Sequence, residues 1–490
     1  MISGVTRAWA NGEPFDLSNV ACRIYHGTED QAPDPLIEAI EGGDHAPAYR
    51  GLAYIVFEDL PLDEFGNVIP QFSFEIARTP PRGAPGLEDM VRGVCLIPGT
   101  GEFAYATDIV RHTIAAGREA PENSNAEQER ANLLVALDQL EADLPQCRSV
   151  MLAVSWFGAD LRCGECEIRP GVEIADKTTR PATWRTGGVT REHAHLISQI
   201  GGAAAYGGTP SDASVVQAIA ELKARGFRVC LYPFVLMDVP ADNALPDPYG
   251  ASAQAAYPWR GRITCSPAPG EVGSPDKTGA AATQVASFFG EAEAGDFSIA
   301  GGDVNYAGPD EYSFRRFILH YAKLAEAAGG VDAFVLGSEL RGLTTVRSGA
   351  STYPAIAALK TLANDVDGVL NPDPLHRATK LTYAADWSEY FGHHPQDGSG
   401  DVYFNLDPLW ADTNIDFVGI DNYMPLADWR EGFSHADALA GWSSIYDRDY
   451  LEANVEGGEG YDWYYASPAD RDAQVRTPIT DGAYGKPWVF

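Results

Sequence analysis

Val331-Asp-Ala-Phe-Val-Leu-Gly-Ser-Glu-Leu-Arg341 is an apolar run that stops abruptly at Gly337, Ser338 and Glu339. Apolar residues at consecutive positions mark a strand buried on both faces, as the strands of a parallel barrel are. An amphipathic segment of helix length, Phe314 to Ala328, precedes it. The local order is therefore helix, strand, acid, and the acid falls at the strand's carboxyl end, which in α/β barrels is the active face.

The same pattern extends in both directions. Val150 to Phe157 reads as a first barrel strand, and a second is expected around Ala203 to Tyr206. Ser211 is a fitting N-cap for a helix over Ala213 to Arg225, which Gly226 closes. Phe227 to Met237 gives a third strand ending at Asp238, and the run above is the fourth. A helix over Pro354 to Leu370 leads to a fifth strand, Lys380 to Ala385, ending at Asp386-Trp387. A sixth, Phe417 to Ile420, ends at Asp421-Asn-Tyr423. Strands alternating with helices predict an α/β fold, a (β/α)8 TIM-barrel-like domain, of whose eight strands about six are legible. The Pro-, Gly- and aromatic-rich segment Val239 to Gly279 is too long for a simple connection and is expected to wall the site.

Residues 1–145 read differently. Short strands at Ala21 to Tyr25, Ala53 to Glu58, Gln71 to Ala77 and Val91 to Leu96 are divided by turn signals such as Phe65-Gly-Asn67. This predicts a separate β-rich module over residues 1–145 and a barrel over 146–490.

With 490 residues the chain is long enough for both. Its 35 basic and 69 acidic residues give a formal charge of −34 that repels nucleic-acid backbone, so no direct nucleic-acid partner is expected. No run approaches the ~18 apolar residues of a membrane span. The seven cysteines do not form a disulfide framework, and Cys163-Gly-Glu-Cys166 is a lone pair read as structural. No P-loop or GxGxxG follows a strand, so no cofactor is expected. The histidines give no metal-ligand spacing apart from His393-His394, read as solvated, so no metal is expected either. The first residues lack the regions of a signal peptide, and both ends are expected to be internal to a longer polypeptide.

Two sets of motifs carry a family resemblance. Pro47-Ala-Tyr-Arg-Gly-Leu-Ala-Tyr-Ile-Val-Phe-Glu-Asp-Leu60 with Ile69-Pro-Gln-Phe-Ser-Phe-Glu75 resembles the tail-hub module of siphophage-type tail-tip proteins. Tyr257-Pro-Trp-Arg-Gly-Arg-Ile-Thr264, Phe334-Val-Leu-Gly-Ser-Glu-Leu-Arg-Gly342, Thr382-Tyr-Ala-Ala-Asp-Trp-Ser-Glu-Tyr390 and Val418-Gly-Ile-Asp-Asn-Tyr423 resemble a narrower family. This is the large tail-tip (hub, host-specificity) protein of gene transfer agents and related phages, with a glycoside-hydrolase-like barrel between tail modules. The resemblance implies a tail-tip location on a virion-like particle, synthesis in the bacterial cytoplasm, other hub and baseplate proteins as partners, and a homotrimer. It also implies an O-glycosyl hydrolase acting on cell-envelope glycan, such as peptidoglycan, during host entry.

Glycoside hydrolysis needs two carboxylates across the scissile bond. Four predicted strands end in an acid, Asp238, Glu339, Asp386 and Asp421. Strand-end acids also cap the next helix or pair with arginines such as Arg260, Arg262 and Arg341. Glu is a poor N-cap, and the Gly-Ser-Glu context resembles the acid/base strand of retaining barrel glycosidases, so Glu339 is the candidate catalytic residue. Asp238, Trp259, Asp386, Trp387, Asp421 and Tyr423 are candidate substrate-binding residues, and Trp156 and Tyr232 are further aromatics able to stack on sugars or fill the barrel. Where the family pattern most often has Asn before the acid, this chain has Ser338. The nucleophile, expected after a seventh strand, would lie beyond Phe490, Glu456 and Glu459 being the weaker alternatives. Two readings stay open, an active glycosidase and a catalytically dead barrel that binds glycan or spaces the hub.

Overall fold

The computed structural model describes residues 2–478, except 18–19, 43–44, 79–85, 98, 127, 301, 396, 424–425 and 457–462. The chain forms two compact units, Met1–Met90 and Val91–Phe490.

The first unit is built from short antiparallel pairs. Strand Gly4–Ala10 pairs with Glu13–Phe15 and with Phe72–Ala77, and Ala21–Tyr25 pairs with Tyr54–Glu58. One helix, Pro35–Glu41, is capped by Asp34, whose Oδ1 accepts from Leu36 N–H at 2.8 Å while Arg23 Nε donates to Oδ2 at 2.7 Å.

The second unit is a curled, parallel sheet. Its strands are β1 (Gly93–Leu96), β2 (Ser149–Gly158), β3 (Arg228–Met237), β4 (Ala333–Ser338), β5 (Lys380–Asp386) and β6 (Gly419–Asp421). They lie in sequence order, each parallel to the next. Helices α1 (Asn132–Asp143), α2 (Asp212–Ala224), α3 (Gly279–Phe289), α4 (Phe314–Ala327) and α5 (Pro354–Leu370) bury apolar side chains against the sheet or one another. Such strands are buried on both faces, which is why their sequences are continuously apolar; in β2, eight of ten residues are buried. Ser211 accepts from Ser214 N–H at the start of α2, and Gly226 follows its end at φ 85°, a left-handed value that glycine adopts without steric cost.

Two expectations change. The division expected at about residue 145 falls at 90/91, because Gly93–Leu96 pairs with Ser149–Leu152 and belongs to the barrel sheet. The second strand expected at 203–206 is no barrel strand: Ala203–Ala204 pairs only with Gln199–Ile200 in a short hairpin. Among the described residues no helix is long and apolar enough to cross a membrane.

Candidate functional site

The site is assembled where β3, β4 and β6 end. Between β4 and β5 the register slips, from Val335 opposite Thr382 to Ser338 opposite Ala384, so β4 carries one extra residue. A bulge of this kind re-aims the side chains beyond it. Here it delivers Glu339, whose backbone φ is 52° and whose N–H donates to Ala384 O at 2.9 Å. A left-handed glutamate is a strained residue, and such strain persists only where the surroundings over-determine it.

Those surroundings are explicit. The next residue, Leu340, donates its N–H to the Tyr383 hydroxyl at 2.8 Å. That hydroxyl in turn donates to the buried Glu389, which also accepts from Thr344 Oγ1 at 2.6 Å and from Asp386 N–H at 3.0 Å. Burial pushes the Glu389 carboxyl up to about 7.

Glu339 is 6 % exposed. Its Oε2 accepts from Trp259 Nε1 at 2.6 Å and lies 3.0 Å from an Arg260 nitrogen. Both partners come from the long segment after β3, which is thus a wall of the site. Arg260 is buried, donates to the Ser338 hydroxyl at 2.6 Å and to the Ser338 carbonyl at 3.0 Å, and lies 3.6 Å from the Phe234 ring centroid. Ser338 is therefore committed to Arg260. Pairing of a strand-end acid with Arg262 or Arg341 does not occur at Glu339; Arg260 takes that place.

Asp421, the last residue of β6, faces the same point. Its Oδ2 accepts from the Tyr232 hydroxyl at 2.6 Å, and the Glu339 charge acts on its carboxyl. Burial, and then the neighbouring Glu339 charge, push Asp421 up to about 6, against the opposing Tyr232 hydrogen bond and Arg260 charge. Burial and the charges of Glu339 and Asp421 likewise raise the Tyr423 phenol at the rim.

The other expected residues are spread around this centre. Asp238 is tied to a neighbouring loop by His195 Nε2 at 2.6 Å and by Ser198 Oγ at 2.5 Å. Burial would raise its carboxyl, but these bonds outweigh burial and hold it low. Asp386 lies opposite Asp421 in the sheet yet caps its own turn, accepting from Ser388 N–H at 2.9 Å. Trp387 donates its backbone N–H to Asp421 O at 3.2 Å. Trp156 is fully buried against Phe317 and His320, so it is core and not cleft. Of the weaker acids, Glu459 lies outside the described residues, and Glu456 closes the helix Arg448–Glu456 with its side chain likewise outside them.

Beside Glu339, a cavity of about 630 Å³ is lined by Trp259, Arg262, Arg341, Ser388 and His393, among others. Trp259, which donates its Nε1 to Glu339, lines this cavity. His393, expected to be solvated, is half-buried, and burial and Arg347 lower its pKa to about 4. Cys163 and Cys166 are free and buried, and burial raises both thiols. Among the described residues no cluster of side chains is arranged to hold a metal ion.

Tyr383 and Glu389 are the residues that sequence reasoning did not assign, while Arg260 was one of three arginines named as possible partners of a strand-end acid. Each lies inside a quoted motif, yet its role depends on partners far away in the chain.

Comparison with known proteins finds a likeness in the part of the chain that holds this centre. Residues 312–490, which contain β4, β5, β6, Glu339 and Asp421, match the GTA TIM-barrel-like domain. No curated protein matches the chain. A chain of the virion of the native gene transfer agent (GTA) particle is 50% identical, over 20% of this chain and 24% of that one, with a TM-score of 0.18. A GH113 β-1,4-mannanase complex is 16% identical over 66% of this chain and 61% of its own, with a TM-score of 0.29. The GH113 β-mannanase AaManA from Alicyclobacillus acidocaldarius, in complex with ManMIm, gives 16% identity over 63% and 60%, with a TM-score of 0.28. The chain thus spans less than two thirds of each of these chains. The likeness to a known family is thus carried by residues 312–490, which match the GTA TIM-barrel-like domain.

Proposed function

We propose that this barrel is a glycoside-hydrolase-like domain of a gene-transfer-agent tail tip, acting on cell-envelope glycan during entry, with Glu339 as acid/base. The observation that carries the reading is the Glu339 centre itself. A buried carboxylate sits on strained backbone at the carboxyl end of β4, oriented by Trp259 and Arg260 and backed by Asp421. An acid/base must hold a proton near working pH and release it to a leaving oxygen. Asp421, titrating at about 6 against Glu339, keeps a proton beside it in that range. The family match supports a place in a GTA-type particle, where other hub and baseplate proteins would be the partners and a trimer the assembly.

A second reading is a barrel that binds glycan without cleaving it. It is favoured by one observation: the Glu339 carboxyl is already engaged within the protein, by Trp259 Nε1 at 2.6 Å and by Arg260 at 3.0 Å. A zymogram on purified peptidoglycan, run with the wild type and Glu339→Gln, separates the two. Clearing that the variant loses supports hydrolysis, and binding without clearing in both supports the second reading.

A further inference from the structure

We propose that the cavity beside Glu339 is an anion subsite, in which Arg262 and Arg341 hold a carboxylate or phosphate group carried by the glycan. This rests on the glycan reading above and adds its chemical class.

The two arginines are brought together by backbone packing. Arg262 ends a short 3₁₀ turn, Arg260–Arg262, and Arg341 opens a one-turn helix, Arg341–Thr344. A Cβ on Gly342 would meet Ile263 O at 2.7 Å and Gly261 O at 2.8 Å, so only glycine lets these two backbones approach so closely. The Tyr249 hydroxyl donates to Arg262 O at 2.9 Å, and its ring centroid lies 4.4 Å from the Arg262 guanidinium carbon. Both arginines line the cavity and both are exposed.

Neighbouring arginines are committed to acids. Arg260 is beside Glu339, and Arg347 bonds Asp276 Oδ2 at 2.8 Å. Arg262 and Arg341 have no carboxylate within ion-pair distance among the described residues, although the chain has 69 acidic residues against 35 basic ones. The two carboxylates that line the cavity are engaged elsewhere. Asp397 accepts from Lys277 Nζ at 2.7 Å, and Glu389 faces Thr344, Tyr383 and Asp386. Two guanidinium groups lining one cavity without a carboxylate partner present planar forks suited to an oxyanion. Trp259 lines the same cavity while its Nε1 donates to Glu339. A sugar at Trp259 would therefore carry its anionic substituent to the arginines and its neighbour towards Glu339.

The test is calorimetric binding to the 490-residue chain. The probes are a carboxylated β-linked oligosaccharide, its carboxyl-reduced counterpart and a sugar phosphate. The wild type should bind an anionic probe at least tenfold more tightly than the reduced one, with the difference shrinking as salt rises. Arg262→Gln/Arg341→Gln should erase that difference and leave binding of the reduced oligosaccharide unchanged. Whether carboxylate or phosphate shows the preference identifies the source of the anion. Equal binding of charged and neutral probes by the wild type, or a preference that survives in the double variant, overturns the subsite and leaves the glycan reading standing. Failure of every oligosaccharide to bind overturns that reading and the subsite with it.

Discussion

The Tyr232 hydroxyl donates to Asp421 Oδ2 at 2.6 Å, and through this bond β3 fixes the carboxyl that faces Glu339. The bond opposes the upward pull of burial and of the Glu339 charge on Asp421. Tyr232→Phe should therefore move the Asp421 titration above its value of about 6, read by carboxyl-carbon NMR. An unmoved titration would show that Tyr232 does not hold this proton.

Glu339→Gln keeps the side chain's size and its acceptor for Trp259. If the barrel cleaves glycan, removing its acid/base should lower turnover by roughly 10²–10⁴-fold, as loss of general acid/base catalysis does. The melting temperature should stay within a few degrees. Turnover equal to wild type would remove Glu339 from the mechanism.

Glu389 gives a pH signature of stability. Its folded value of about 7 lies above its ordinary one, so the folded state binds an extra proton in between. The contribution is full below the unfolded value and is lost as pH rises through about 7. It amounts to about 3 kcal/mol. Asp421 acts in the same direction up to about 6, whereas Asp238, held low, is lost only at more acid pH. Denaturant unfolding of Glu389→Gln should show a flatter stability profile between pH 5 and pH 8 than wild type. An identical profile would mean that Glu389 is ionised in the fold.

Gly342→Ala should cost about 1–3 kcal/mol, the usual range for overpacking. Its new Cβ would press on the Ile263 and Gly261 carbonyl oxygens at 2.7 and 2.8 Å. Thermal unfolding measures this directly, and an unchanged melting temperature would mean the two backbones separate freely.

The strands β2 to β5 were legible because burial on both faces leaves unbroken apolar sequence. β1 was found as a strand but assigned to the wrong unit: four residues cannot reveal that their partner is Ser149–Leu152. Glu339 and Asp421 were readable as strand-end acids and Trp259 as part of an aromatic-rich wall, the places where barrel sites are looked for. That Arg260, among the three arginines named, is the partner of Glu339 was not legible. The bonds of Arg260 to Ser338 span 78 positions, a distance over which spacing carries no signal. The Glu389–Tyr383–Leu340 chain was hidden likewise, since a buried glutamate within a motif looks like any solvated one.

The left-handed backbone at Glu339 bears on which reading of the barrel survives. An L-residue with a Cβ sacrifices roughly 1–2 kcal/mol in that conformation, and glycine avoids the penalty. A domain whose only duty was to hold two parts of a tail apart could relieve that strain with glycine at position 339, provided Trp259 and Arg260, which bond the acid, changed with it. A lineage under purifying pressure for chemistry would keep the acid and carry the strain. The fate of this one position, followed through homologous barrels, therefore reports whether selection has been acting on a reaction or on a shape.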